Sequence, residues 1–183
     1  METIRINECV NERVQAYQAN VDDAQDIMDI LLGIARWLHS KGSNQWAGLL
    51  EGEDSHDMLG SISRGEVFVF KENGFCVGTV ILKKRASQWD EDLWGENDEQ
   101  LGSAVYLHRL AVSRDYTGKG LGGEILHWVE NGIQFKGKNR IRLDCIANNE
   151  ILNSYYPRYG YSFMGEVKGF SKYEKLIPMI QSS

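Results

Sequence analysis

A chain of 183 residues with a net charge of −6 is long enough to bury a sizeable core without staples, and it lacks the basic balance that a nucleic-acid partner requires. Its three cysteines, Cys9, Cys76 and Cys145, are odd in number and in no metal-ligand spacing; no cationic-then-apolar leader opens the chain, and its apolar runs fall far short of a bilayer span. The expectation is one domain over residues 1–183: a reduced, cytoplasmic protein, monomer or homodimer, without metal or membrane.

The N-terminal third reads as helical. Ile27, Ile30, Leu31, Ile34 and Leu38 recur at helical spacing, Asp22 with Gln25 makes a capping pair, and Gly42 ends the run. A shorter helix is expected over Ser55 to Arg64. The period then changes to two: Glu66 to Phe70 and Phe75 to Leu82 read as antiparallel strands around a tight Asn73-Gly74 turn. The segment from Ser87 to Gly102 holds six acidic residues and no basic one, shows neither period, and reads as a surface loop. Strand-like "AVYLHRLAV", a helical face on Leu121, Ile125, Val129 and Ile133, and strand-like "RIRLDCIA" then compose a βαβ unit. A short helix over Ile151 to Tyr159 and two strands around Gly169 complete a mixed α/β chain, antiparallel outside and parallel in the middle.

Between the central strand and its helix stand Gly118, Gly120, Gly122 and Gly123. Glycines so spaced let backbone amides approach an anion. Gly118, Gly120 and Gly123 satisfy GxGxxG, and Asp144 follows about 20 residues later, as in a dinucleotide-binding oxidoreductase. Five residues, Ser113 to Thr117, nevertheless separate strand from glycine, where that fold turns directly. The 37 residues after Ile146 also leave no room for the remaining strands of a doubly wound sheet.

The stretches "LAVSRDYTGKGLGGEIL" and "NNEILNSYYPRYGYSF" resemble the Gcn5-related N-acetyltransferase (GNAT) family. Its (Gln or Arg)-x-x-Gly-x-(Gly or Ala) loop maps onto Thr117 to Gly122, and a second block maps onto Asn149, Tyr156, Gly160 and Tyr161. The resemblance implies a mostly antiparallel central sheet with splayed parallel strands in the middle and flanking helices. It implies acetyl-CoA as cosubstrate, its pantetheine arm paired with the backbone of Leu110, Ala111 and Val112, and its pyrophosphate on the amides of Thr117, Gly118, Lys119, Gly120, Leu121 and Gly122, with Asn149 a further cofactor contact or the holder of a strand-to-helix turn. Thr117 departs from the family pattern, which leaves the loop amides to carry the anion, with Lys119 or Arg114 as sources of charge.

The reaction expected on this resemblance is acetyl transfer to a primary amine of a small molecule, or of a protein, through a tetrahedral intermediate. A base is useful because few alkylammonium groups are neutral at pH 7. Candidates are His108, an acid between Glu91 and Glu99, or a water relay. By the family's register Tyr156 is the acid that protonates the departing thiolate. Trp89 and Trp94 with the acidic run offer an aromatic and carboxylate wall for a cationic amine. An acyl-CoA-binding module without turnover is the alternative from another functional class.

Overall fold

Two strands that the periodicity does not reveal open the chain, β1 (Thr3–Ile6) and β2 (Val14–Gln18), where a helical third is expected. The computed structural model describes residues 3–53 and 57–179. The polypeptide divides into two units, one made of Asn7–Ile81 and Arg109–Ile125, the other of Met1–Ile6, Leu82–His108 and Leu126–Ser183.

In the first of these, α1 (Ala24–Ser40) places Ile27, Leu31 and Ala35 one turn apart on a single face, each at most 1% exposed. Its entry is fixed not by Asp22 with Gln25 but by Asn20 and Asp23. Their side chains and backbones bond reciprocally around a 3₁₀ turn (Val21–Asp23) that leads into the helix. Helices α2 (Ala47–Leu50) and α3 (Met58–Ser63) follow; Ser55, with which the expected second helix begins, lies outside the described residues. Strands β3 (Val67–Glu72) and β4 (Phe75–Lys83) form the expected hairpin. Asn73 (φ +50°) and Gly74 (φ +81°) take the two left-handed positions that such a turn needs. β2 pairs antiparallel with β3 from Val14↔Glu72 to Gln18↔Phe68. The helices lay Ile27, Leu31, Leu49, Met58 and Ile62 against Val67, Val69 and Ile81, each such burial being worth about 1.5–3 kcal/mol.

The other unit contains a helix where a loop is expected. The acidic run folds into α4 (Gln88–Trp94) because Ser87 and Asp90 make a capping box. β5 (Ala104–Val112) leaves this unit after His108. α5 (Leu121–Asn131) stops before Gly132, so Ile133 does not complete its apolar face. It lies instead on a short strand, β6 (Ile133–Phe135), paired antiparallel with β1. β7 (Arg140–Ile146), α6 (Glu150–Arg158), β8 (Ser162–Val167) and β9 (Phe170–Leu176) complete the chain.

β5 and β7 are the one parallel pair among the described residues, and their rows run only from Ala104↔Arg140 to Tyr106↔Arg142. β7 remains paired with β9 as far as Ile146↔Phe170, and His108 lies two residues past the last parallel row. The ladders order the strands β2-β3-β4-β5-β7-β9-β8, a mixed, mostly antiparallel sheet with flanking helices. No helix among the described residues is long and apolar enough to cross a membrane.

Candidate active site

The glycine-rich turn belongs wholly to the unit that contains α1. The end of β5 is held by the Ser113 amide, which donates to the Val77 carbonyl at 2.9 Å. A 3₁₀ turn over Arg114–Tyr116 follows. The Thr117 amide closes it onto the Arg114 carbonyl at 3.2 Å, and the next amide bonded to a carbonyl is Glu124, on Gly120, at 3.2 Å. Between them the amides of Gly118 to Gly123 donate to no group among the described residues. These amides open an eleven-residue helix, so fixed partial positive charge gathers where they stand.

Gly120 sits at φ +77°, and a Cβ built there meets nothing within 4 Å. The turn is an open cradle, and its residues fit an anionic group such as a pyrophosphate. Thr117 makes no side-chain hydrogen bond among the described residues. Of the two candidate cations, Arg114 stacks its guanidinium on the Trp37 ring at 3.8 Å, and Lys119 holds its ammonium 4.6 Å from the centre of the Tyr116 ring. Leu110 and Val112 are half-buried while Ala111 is buried.

The ionisable cluster lies in the other unit and begins with α4. The Asp90 carboxylate accepts through one oxygen, Oδ2, from the Ser87 amide at 2.9 Å and the Ser87 hydroxyl at 2.8 Å. The same oxygen pairs with His108 Nε2 at 3.1 Å. Asp90 is 1% exposed and His108 7%. Asp144, on β7, takes the Trp89 indole N–H at 3.3 Å, and Trp89 sets its ring edge-on to Phe170, with centroids 4.8 Å apart. Ligand-type atoms of Asp90, His108 and Asp144 all fall within 4.8 Å of one another.

The two carboxylates titrate in opposite directions. Burial pushes Asp90 up, but the hydrogen bond and charge of His108, with the Ser87 donors, outweigh it and hold Asp90 below the usual carboxylate range. Burial also pushes Asp144 up; there the charge of His108 and the Trp89 bond only partly offset it, the nearby Asp90 adds to it, and Asp144 stays above that range. Asp90 Oδ2 thus has three partners, the Ser87 amide, the Ser87 hydroxyl and His108.

Helix α4 is anchored by a second set of charges. The buried Arg142 guanidinium donates to Glu174 at 2.8 Å and Asp98 at 2.5 Å, and to the Tyr106 hydroxyl at 3.4 Å. Trp94 stacks on the same guanidinium at 4.2 Å, and Lys172 approaches the Trp94 ring at 5.0 Å. Trp89 and Trp94 are therefore engaged within the fold and do not stand as a free wall. Asp90 is no surface charge either, whereas Asp92 is exposed, with Lys168 at 3.6 Å.

Tyr156 lies in α6, 8% exposed, with the rings of Tyr155, Tyr173 and Tyr161 at 5.4, 5.7 and 6.0 Å. Burial, then the neighbouring Cys145, raises its phenol above the usual range, so it stays protonated. Asn149 caps α6, its side-chain oxygen accepting from the Leu152 amide at 3.0 Å. The sequence reasoning missed Asp90 and Asp144 as neighbours of His108. The Ser87-x-x-Asp90 spacing was the available signal, since it marks a helix start that carries Trp89 and Asp90 onto the sheet.

Residues 31–161 match the model of the Acetyltransferase (GNAT) family. The chain is 46% identical over 172 residues to the uncharacterized N-acetyltransferase YesJ of Bacillus subtilis strain 168, across 93% of this chain and 94% of that one. A GNAT family acetyltransferase structure from Listeria monocytogenes is 36% identical, with a TM-score of 0.74 over 90% of this chain and 95% of that one. The PaiA N-acetyltransferase of Thermoplasma acidophilum, solved in complex with coenzyme A, shares the fold at 17% identity, with a TM-score of 0.69 over 89% and 98% of the two chains.

Proposed function

Since this chain belongs to the acetyltransferase (GNAT) family, and so is an enzyme that moves an acetyl group from acetyl-CoA, we propose that its acceptor is the primary amine of a small molecule, acetylated by direct attack on the thioester. The observation that carries this reading is the buried Asp90–His108 pair with Asp144 beside it, a proton acceptor of the kind an ammonium substrate calls for. At pH 7 an alkylamine of pKa about 10.4 is neutral in only about one molecule in several thousand, a deficit of roughly 4 to 5 kcal/mol.

In this reading His108 takes the proton of the ammonium, directly or through one water. The amine nitrogen then adds to the thioester carbon and gives up its second proton to water, and the tetrahedral intermediate collapses by breaking the C–S bond. Tyr156, protonated throughout the working range, gives its proton to the departing sulfur and recovers it from solvent. The pyrophosphate rests on the amides of Gly118 to Gly122, with family membership supplying the expectation that the pantetheine follows the backbone of Leu110 to Val112. The three free cysteines support a reducing, cytoplasmic setting.

A panel of monoamines, polyamines, aminoglycosides and amino acids, scored for release of free CoA thiol from acetyl-CoA, tests the proposal. Turnover with a small amine is the expected result. Turnover only with peptide N-termini would replace the acceptor class, and tight CoA binding with no turnover on any amine would favour the binding module.

A further inference from the structure

Trp37 stands off the buried face of its helix. That face of α1 carries Ile27, Leu31 and Ala35, whereas Trp37 is 38% exposed. Its ring carries Arg114 instead, whose guanidinium carbon lies at a stacking distance of 3.8 Å from the ring centre. An arginine held this way lays its face on the ring and keeps its in-plane N–H donors for an acceptor. Among the described residues that guanidinium makes no hydrogen bond and no ion pair, not even with Asp115 beside it.

The turn that follows calls for such a donor. Arg114 opens the 3₁₀ turn, and its carbonyl takes the Thr117 amide at 3.2 Å, so it stands one turn ahead of the amides of Gly118 to Gly123. Thr117 occupies the place of the family's Gln or Arg and offers a pyrophosphate no charged donor. Lys119 is the weaker substitute. It is an ammonium on a flexible stem, and it shares a recess with Glu72 and Glu124, whose carboxylates repel an anion. We propose that Arg114 is the side chain that binds the pyrophosphate of acetyl-CoA in place of the residue missing at Thr117, by paired N–H donors to phosphate oxygens, and that Trp37 is the positioning residue that holds the guanidinium ready. Ordering that side chain before the ligand arrives removes part of the entropic cost of binding. The inference rests on the proposed placement of the pyrophosphate on the glycine turn.

The test is calorimetry on the full chain with CoA and with 3′-dephospho-CoA, which keeps the pyrophosphate but lacks the ribose phosphate. Arg114→Gln should weaken both ligands about ten- to a hundredfold, the effect of losing hydrogen bonds to a charged group, and more than Lys119→Gln does. Trp37→Leu should weaken them about two- to fivefold, and Trp37→Phe should keep most of the parental affinity. In the Arg114→Gln background Trp37→Leu should add nothing, an outcome that a packing role for the ring does not produce. Thr117→Gln in the same background should recover affinity. Parental affinity in Arg114→Gln overturns the inference. So does a larger loss in Lys119→Gln, full additivity of the Trp37 and Arg114 changes, or a loss confined to CoA, which would assign Arg114 to the ribose phosphate. Loss of binding in Gly120→Glu but not in Arg114→Gln defeats the inference alone, whereas parental affinity in both defeats the placement of the pyrophosphate as well.

Discussion

Replacing Gly120 separates the demands of the fold from those of the ligand. A Cβ there meets no protein atom within 4 Å, but the backbone stands at φ +77°, so Gly120→Ala carries conformational strain alone, about 1 to 2 kcal/mol. For a chain of this size that is roughly 2 to 8 °C in melting temperature. The fold should survive it. Gly120→Glu adds to that strain a carboxylate over the cradle. Against one phosphate charge 4 Å away, repulsion runs from about 1 kcal/mol in water to about 4 kcal/mol near a protein surface. The middle of that range is about 10²-fold in affinity, at about 1.4 kcal/mol per factor of ten. Calorimetric titration of acetyl-CoA into the parent and both variants should therefore give a modest loss for alanine and about a hundredfold loss for glutamate, with far-UV circular dichroism unchanged. Parental affinity in Gly120→Glu, or tighter binding of NADH than of acetyl-CoA by the parent, would refute the placement of the pyrophosphate.

Tyr156→Phe should lower kcat by about 10² to 10⁴ with little change in acetyl-CoA affinity; equal kcat in stopped-assay rates would return Tyr156 to packing alone. Asp144→Asn should stabilise the protein at neutral pH. The folded carboxyl is raised above its ordinary 3.8, so its ionised form is disfavoured by folding; the cost is complete above the folded value and vanishes below 3.8. Thermal melts from pH 8 down to pH 4 should show the gain shrinking on the acid side, and a constant difference would contradict the assigned direction. Ser87→Ala removes a helix cap worth about 1 kcal/mol, which denaturant titration should register as a lower midpoint with an unchanged slope.

The hairpin at Asn73-Gly74 and the glycine turn were legible because their signals are local: left-handed backbone selects the residue that tolerates it. The α1 face was legible because its period is strict. β1 and β2 were not, since "TIRI" and "VQAYQ" are four and five residues long and owe their extended form to the ladders with β6 and β3. Ile133 stands at helical spacing from Val129, but Gly132 intervenes, and pairing with β1 decides the matter. The acidic run hid its helix for a different reason. Charge counting treats each carboxylate as solvated, whereas Asp90 is held by Ser87 and His108, and only the approach of β5 reveals the second partner. The glycine turn could thus be read from one stretch of chain, while the Asp90–His108–Asp144 cluster joins α4, β5 and β7, elements whose meeting no spacing encodes.

The Arg142 network carries a consequence for how this protein can diverge. One guanidinium answers to Glu174, Asp98 and Tyr106, with Trp94 laid across its face. Loss of Arg142 leaves the partly exposed Asp98 without this ion pair and the buried Glu174 with Arg140 alone, at a cost of up to about 3 to 5 kcal/mol, whereas exchange of the whole set for apolar side chains of similar volume is often neutral or better. Drift that begins at Arg142 is therefore costly, and relatives that lack it should have changed Trp94 and Asp98 with it. Since Trp94 closes the helix that delivers Asp90, that block also limits how far the cluster of Asp90, His108 and Asp144 can wander.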